Sequence, residues 1–136
     1  MALAAGKIRA RRGREPSGGA FAYSVKAAAK VWRGSFVCVN SSGAMVLIGA
    51  GDAAQFVGIA DRDLDNTAGA AVSEQKVTAL KGIYAITVPA ATHANINATV
   101  YATDDDTATL TASTNLPIGT LVGIEAGQTY VKLLGS

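Results

Sequence analysis

Hydrophobic and polar positions alternate with a period of two along much of the chain after residue 20. Phe21, Tyr23 and Val25 alternate with smaller or polar residues, a pattern typical of a strand with one buried face. The stretch SFVCVNSSGAMVLIG places the polar turn NSSG between two apolar runs, which predicts a hairpin. KAAAK lies between that first strand and the hairpin and is too short to nucleate a helix alone, so a turn or short helical link ending at Gly34 is expected.

The same pattern continues towards the C-terminus. FVGIAD predicts a short strand in which Gly58 marks a bulge or a close backbone approach. RDLDNTAGAAVSEQ predicts an exposed loop, KVTAL and IYAITV predict strands that end before Pro89, and AATHANINA predicts a short helix or an extended crossing. TNLPIG is interpreted as a turn because it contains Pro117 and Gly119, and TLVGI and TYVKLL are expected to form a last hairpin around EAGQ.

Two segments of the chain resemble each other. FVCVNSSGAMVLIGAGDAAQFVGIA and TVYATDDDTATLTASTNLPIGTLVGIE each run through strand, polar turn, strand and loop, and then reach Val-Gly-Ile at 57–59 and 122–124. Two copies are too few for a solenoid, so the interpretation is a pseudo-symmetric barrel or sandwich of two related halves. In this alignment TDDD occupies the position of NSSG, and both predict a turn between strands.

Composition and charge indicate an N-terminal tail followed by a single β domain. The chain has 136 residues, of which 49% are hydrophobic and 16% charged, so it fits one ordered domain. We therefore predict a basic extended N-terminal arm at residues 1–20 and a single all-β domain, a small jelly-roll-like sandwich or barrel, at residues 21–136. The arm is either a solvated, disordered terminus or a segment that orders against an acidic protein groove or a polyphosphate. Its cations are Lys7, Arg9, Arg11, Arg12 and Arg14.

Clustered carboxylates raise the question of a metal site. Asp104–Asp106 are consecutive, and Asp61, Asp63 and Asp65 alternate, but neither group has the central Gly and final Glu of an EF-hand loop. Both are interpreted as turns with solvated carboxylates. The single histidine, His93, has no nucleophile motif around it, and phosphate-binding glycine motifs are absent from the sequence. The sequence predicts no enzyme activity, no cofactor and no metal.

The single cysteine and the N-terminal aromatic residues are the remaining candidates for chemistry or partner contact. Cys38 is the single cysteine, which excludes an intrachain disulfide, and it is predicted to be a buried thiol. Trp32, beside Arg33, is interpreted either as packing at the end of a barrel or as an interface anchor, and Phe21, Tyr23 and Arg33 are further candidate anchors.

Two kinds of partner are disfavoured by the sequence. Aromatic residues make up only 6% of the chain and the β region is not basic, which disfavours an OB-like nucleic-acid binder outside the arm. No apolar run approaches the roughly 20 residues of a membrane-spanning helix. No apolar stretch typical of a secretory signal follows the N-terminal cations.

Five segments carry a family resemblance in their order along residues 21–136: GSFVCVNSSGAMVLI, FVGIAD, KGIYAITVPA, TVYATDDDTATLT and IGTLVGIEAGQTYVKLL. In that order they resemble the capsid cement, or head decoration, proteins of tailed bacteriophages. The resemblance implies a small β sandwich or jelly-roll-like barrel and a homo-oligomer, dimer or trimer. It also implies a place on the outer surface of an icosahedral shell, bound across junctions between major capsid subunits. It implies no catalysis and no cofactor, and the basic arm departs from the compact members of that family.

The leading expectation is a structural virion protein whose arm cations contact an acidic surface of the major capsid protein, without membrane or nucleic acid as partner. The alternative is a virion-associated binding module, such as a receptor-binding or tail β domain, or a nucleic-acid-binding β barrel that uses the basic arm.

Overall fold

The computed structural model describes residues 2–12 and 20–136. Those residues contain thirteen strands, a single 3₁₀ turn at His93–Asn95 and no α-helix, so the predicted all-β fold is confirmed. The strands are β1 (Arg11–Arg12), β2 (Phe21–Ser24), β3 (Lys30–Val31), β4 (Phe36–Val39), β5 (Met45–Leu47), β6 (Gln55–Ala60), β7 (Leu64–Asp65), β8 (Lys76–Leu80), β9 (Ile83–Ala85), β10 (Thr99–Ala102), β11 (Ala108–Thr109), β12 (Leu116–Glu125) and β13 (Gln128–Leu133).

The named strands pair antiparallel in three sheets. A six-stranded sheet has the order β1-β9-β13-β12-β10-β11, a five-stranded sheet has the order β2-β8-β6-β4-β5, and β3 pairs with β7. The five-stranded sheet curls, because Val25 just after β2 bridges Met45 of β5, and the amide of Lys26 donates to the Met45 carbonyl at 3.0 Å. The two edges of that sheet therefore meet at one end.

Strand alternation divides the interior into two apolar clusters. Along β4, Phe36 and Cys38 pack in a cluster shared with the six-stranded sheet, whereas Val37 packs in a second cluster inside the curled sheet. The larger cluster joins the two sheets as the layers of a sandwich, with Ile118 and Leu121 of β12 fully buried in it. Because successive side chains point to opposite faces of a strand, the continuous apolar run of β4 is buried on both faces.

Two regions differ from their predicted local structure. The link after β2 contains β3, and the loop predicted after β6 contains β7, which pairs with β3. The side-chain amide of Asn66 donates to the carbonyls of Val25 and Lys26, which are distant in sequence, and to the nearby carbonyl of Ala71, so these hydrogen bonds hold the loop against the region after β2. KVTAL forms strand β8 as predicted, whereas only the first half of IYAITV, Ile83–Ala85, is a strand. β8 and β9 belong to different sheets, and the chain crosses between the layers through Lys81–Gly82.

The two similar segments fold into the same three-stranded unit. β4 lies between β5 and β6, and β10 lies between β11 and β12. Both hairpin loops share one backbone bond between equivalent positions, from the Asn40 amide to the Ala44 carbonyl at 2.9 Å and from the Thr103 amide to the Thr107 carbonyl at 3.0 Å. NSSG and TDDD therefore occupy equivalent loops, while duplication as the origin of this likeness stays a prediction.

The expected alignment of the two Val-Gly-Ile triplets is wrong. Val37 pairs with Gly58 and Val100 pairs with Gly119, and the register shifts immediately after each pair. The second triplet lies further along β12, at Gly123, so the strand pairing aligns Gly58 with Gly119 and not with Gly123. The cause is the longer second strand, because β12 continues past the end of the repeated unit to pair with β13.

The predicted turn at TNLPIG is also wrong in its second half. β12 begins at Leu116, so Pro117 and Gly119 are strand residues. Pro117 lies opposite Tyr101 where the register shifts, and a bulge tolerates a residue without an N–H donor. The last hairpin is confirmed, and its two-residue loop has φ of 49° at Ala126 and 78° at Gly127, as a type I′ turn requires.

Candidate functional site around the N-terminal segment

Residues 2–12, here called the N-terminal segment, lie against the β domain and contact both layers. The amide of Lys7 donates to the carbonyl of Arg33 at 2.7 Å, just before β4 of the five-stranded sheet. The amide of Ala85 donates to the carbonyl of Ala10 at 2.9 Å, and β1 pairs with β9 at the edge of the six-stranded sheet. The segment therefore crosses the seam between the two layers.

Arg9 is the central side chain of this contact. Its side chain is only 7% exposed, and its Nη2 donates to Asp106 Oδ1 at 2.6 Å. Its Nε donates to the carbonyl of Gly34 at 2.6 Å, and its guanidinium carbon lies 4.5 Å from the centroid of the Phe36 ring. Burial lowers the pKa of Arg9, while the hydrogen bond and charge of Asp106 act in the opposite direction.

The TDDD loop is the partner of the N-terminal segment. Lys7 Nζ lies 2.5 Å from Asp106 Oδ1, so Asp106 pairs with two cations. Asp105 is only 2% exposed, its Oδ1 accepts a hydrogen bond from the Leu3 amide at 3.2 Å, and its Oδ2 has no hydrogen-bond partner. Burial raises the pKa of Asp105, and the bond from Leu3 opposes that rise.

The predicted turn at TDDD is confirmed, since it connects the paired strands β10 and β11 and the Asp106 amide donates to Asp104 Oδ1 at 2.9 Å. The expectation that its carboxylates are solvated is wrong for Asp105. Burial comes from the N-terminal segment, which is about one hundred residues away in sequence, since 102 positions separate Leu3 from Asp105. The residues of the turn itself give no indication that a distant segment covers Asp105.

Two glycines allow the segment to approach the domain closely. Gly34 has φ of +82°, and a Cβ there would lie 2.3 Å from the carbonyl oxygen of Lys7. A Cβ at Gly6 would lie 2.3 Å from Asp63 Oδ1. Both distances are too short for any side chain, so these glycines are required by packing across the contact.

A cavity of about 330 Å³, here called the seam cleft, lies between the N-terminal segment and the domain. Its charged lining consists of Lys7, Arg9, Arg33 and Asp61. Its apolar lining includes Ile8, Ile59, Ala60, Leu80 and Tyr84. The cleft therefore combines an excess of positive charge with an apolar floor.

The structure divides the predicted arm cations into three groups. Lys7 and Arg9 contact Asp106 of their own chain. Arg11 and Arg12 form β1, and their side chains lie outside what the structure describes, as does the whole of Arg14. Contact between these cations and a capsid surface stays a prediction, and for Arg9 it would compete with an existing buried pair.

The four candidate interface anchors differ in exposure. Phe21 is 64% exposed at the start of β2, and Tyr23 is half-buried against the cluster inside the curled sheet. Trp32 is half-buried, with Lys30 Nζ 4.5 Å from its ring centroid. Arg33 is exposed, and its guanidinium forms no hydrogen bond or ion pair with any residue that the structure describes.

The remaining candidate chemistry is structural. Asp61, Asp63 and Asp65 each accept a backbone hydrogen bond, from the amides of Thr78 at 3.1 Å, Arg33 at 2.7 Å and Thr67 at 2.9 Å. Within residues 2–12 and 20–136, His, Cys, Asp and Glu form no group of three that could hold a metal ion. His93 is exposed, whereas Cys38 is buried as predicted, and burial raises the pKa of its thiol to about 12.

Sequence reasoning missed Asp106 and Gly34 as partners of the N-terminal segment. The available signal was charge, since the cations before residue 15 and the three aspartates at 104–106 are the densest groups of opposite sign in the chain. Comparisons with models of protein families, with characterised proteins and with solved structures found no match for this chain. None of the helical structure in the described residues is long and apolar enough to cross a bilayer.

Proposed function

We propose that this protein is a capsid cement protein of a tailed bacteriophage. It binds the outer surface of an icosahedral shell and stabilises contacts between neighbouring subunits of the major capsid protein. The observation that carries the proposal is the N-terminal segment, which is tied across the seam of a two-layered β domain by a nearly buried arginine. A cement protein must stay rigid between the points where it contacts different capsid subunits. A segment that is hydrogen-bonded to both layers holds the two layers together as one rigid unit.

Exposed apolar side chains supply contact points for a large partner. Ile8 on the N-terminal segment is 76% exposed and Phe21 at the start of β2 is exposed as well. Burying a side chain of this size against a partner contributes about 1.5–3 kcal/mol. Because a shell presents its sites many times, an oligomer of this chain, dimer or trimer, would gain further affinity from avidity.

The charge distribution favours a protein partner over nucleic acid. From residue 20 onward the chain carries seven Lys and Arg against nine Asp and Glu, a net charge of −2. Asp106 already neutralises part of the positive charge of the N-terminal segment through Lys7 and Arg9. Nucleic-acid binding depends on many free cations, and the pairing of Lys7 and Arg9 with Asp106 removes two of them.

Co-sedimentation with undecorated shells of the host phage tests the proposal. The expected result is saturable binding at a fixed ratio of this chain to the major capsid protein. Ile8→Ser should weaken the binding, with Val72→Ser as a matched control at another exposed aliphatic residue. Protein that stays in the supernatant at every concentration would overturn the proposal, and salt-sensitive binding to DNA would favour the alternative of a nucleic-acid-binding barrel.

A further inference from the structure

We propose that the seam cleft is a binding site for an acidic peptide segment of a partner protein. A carboxylate of that segment pairs with Arg33, and an adjacent apolar side chain enters the cleft against Ile8 and Leu80. The identity of the partner, the major capsid protein, rests on the proposed function. The chemistry of the ligand, a carboxylate next to an apolar side chain, rests on the cleft alone.

Arg33 is the cation of the cleft that remains available to a ligand. Lys7 and Arg9 both pair with Asp106, so a carboxylate that recruited them would have to break an existing ion pair. The guanidinium of Arg33 has no such partner among the described residues, and it lies on the same lining. An incoming carboxylate can therefore form a bidentate ion pair with the Arg33 guanidinium without breaking an ion pair within the protein.

The backbone holds Arg33 in position from both sides. Its amide donates to Asp63 Oδ1 at 2.7 Å, and its carbonyl accepts the bond from the Lys7 amide at 2.7 Å. Gly34 follows directly and carries the close approach of the N-terminal segment. Because the main chain at Arg33 is fixed before a ligand arrives, Arg33 contributes only the ordering of its side chain to the entropic cost of binding.

The dimensions and lining of the cleft favour a peptide over a nucleic acid. A volume of about 330 Å³ is at the lower end of the range for ligand pockets and holds one or two side chains. The aromatic residue in the lining, Tyr84, is buried, so it offers no free face for a base to stack on. The accessible apolar residues of the lining are the exposed Ile8 and the half-buried Leu80, and both are aliphatic, which suits an apolar neighbour of the carboxylate.

An NMR titration of the full chain tests the chemistry of the cleft. The probe is an acetylated, amidated Leu-Glu-Leu-Glu peptide, and the control peptide replaces each Glu with Gln. The expected result is saturable movement of the Gly34, Ala60 and Asp61 amide signals with the acidic peptide only. Arg33→Gln should weaken that binding by about fivefold, the loss expected for an exposed ion pair, whereas Lys132→Gln, at another exposed cation, should leave it unchanged.

Three outcomes of the titration would overturn the inference. Equal binding to wild-type protein and to Arg33→Gln would exclude Arg33 as the anchor. Acetate binding as tightly as the peptide would show a site for free carboxylates, without recognition of a peptide. An oligothymidylate that binds the same amides more tightly than the peptide would show a nucleic-acid site.

Sedimentation with undecorated shells separates this inference from the proposed function. If wild-type protein and Arg33→Gln bind the shells equally, the cement function stands and the cleft is not the contact. If neither protein binds shells while the acidic peptide still binds through Arg33, the cleft stands and the cement function fails. Weaker shell binding by Arg33→Gln, with Lys132→Gln unchanged, supports both.

Discussion

The guanidinium of Arg9 donates to the carboxylate of Asp106 at 2.6 Å, although 97 positions separate the two residues in the sequence. The same guanidinium reaches the carbonyl of Gly34 and stacks on Phe36 at the start of β4. One side chain thus joins the N-terminal segment, the five-stranded sheet and the loop of the six-stranded sheet. Arg9 can contact Asp106, Gly34 and Phe36 at the same time only when the two layers are packed together.

Replacement of Arg9 by Met should lower the free energy of unfolding by about 1–3 kcal/mol, because Asp106 loses one of its two cations and the Gly34 carbonyl loses its donor. Met retains the apolar stem against Phe36 and removes the charge and both hydrogen bonds. Urea denaturation monitored by circular dichroism measures the change. Arg62→Met is the matched control, since Arg62 is exposed and bonds to Gln75 at 2.8 Å, and surface changes cost less than about 0.5 kcal/mol. Equal losses in the two variants would contradict the structural role of Arg9.

Replacement of Gly34 by Ala should displace the N-terminal segment. Gly34 and Gly43 have nearly the same backbone conformation, with φ of +82° and +81°, but a Cβ at Gly34 would lie 2.3 Å from Lys7 O and one at Gly43 has nothing within 4 Å. Gly43→Ala therefore costs only the backbone strain of a left-handed alanine, about 1–2 kcal/mol. Gly34→Ala adds the collision with the segment.

Hydrogen exchange distinguishes the two glycine variants. The Ala85 amide is protected by its bond to the Ala10 carbonyl, so its exchange reports whether the segment is docked. Gly34→Ala should increase the exchange rate of this amide well beyond its effect on global unfolding, and Gly43→Ala should not. Slow exchange at Ala85 in Gly34→Ala would show that the segment docks without the close contact at Gly34.

Local patterns predicted the parts of the fold that are built from neighbours in sequence. NSSG and EAGQ identify their hairpins because turn residues with permissive backbones stand between apolar strands. Gly58 was predicted as a bulge or close approach, and a Cβ there would lie 2.5 Å from the carbonyl oxygen of Leu80. In these cases the residue type that indicates a turn or a close approach in the sequence is the residue whose backbone the fold constrains.

The parts that were not predictable depend on distant residues. Pro117 suggested a turn, yet a bulge opposite Tyr101 removes the need for its missing donor, and that pairing is set by the sheet. Asp105 suggested a solvated turn, yet the Leu3 end of the chain covers it. The docked N-terminal segment likewise needs Gly34 and Asp106 together, and no spacing in the sequence brings them to one place.

The last hairpin offers a stabilising change. Ala126 has φ of 49°, which is unfavourable for alanine, and asparagine tolerates this conformation better. Ala126→Asn should raise the free energy of unfolding by about 0.5–1 kcal/mol, measured by urea denaturation. Ala90→Asn, at φ of 62°, should behave in the same way, whereas Ala94→Asn, at an exposed position without positive φ, should give no gain. A gain at Ala94 alone would refute the conformational explanation.

Asp105 should give the stability of the protein a distinctive pH dependence. Burial raises its pKa above the ordinary value of 3.8, so the folded protein holds this proton more tightly than the unfolded chain does. Its contribution to the free energy of unfolding is therefore greatest at low pH. It falls as the pH rises from about 3.8 through the raised pKa, because ionisation then opposes folding.

Asp105→Asn isolates that contribution, because asparagine cannot ionise and still offers an oxygen to the Leu3 amide. The free energy of unfolding of the variant, measured relative to wild type by urea denaturation, should shift in favour of the variant as the pH is raised from about 4 to about 7. Asp52→Asn is the control of opposite sign. The hydrogen bond from Lys26 and that from Asn40 lower the pKa of Asp52, so its contribution is present at neutral pH and lost in acid. Asp52→Asn should therefore lose stability relative to wild type as the pH rises towards about 4 from more acid values, and its difference from wild type should stay nearly constant from about pH 5 to pH 7. A difference for Asp105→Asn that stays constant across this range would mean that Asp105 ionises as readily in the folded protein as in the unfolded chain.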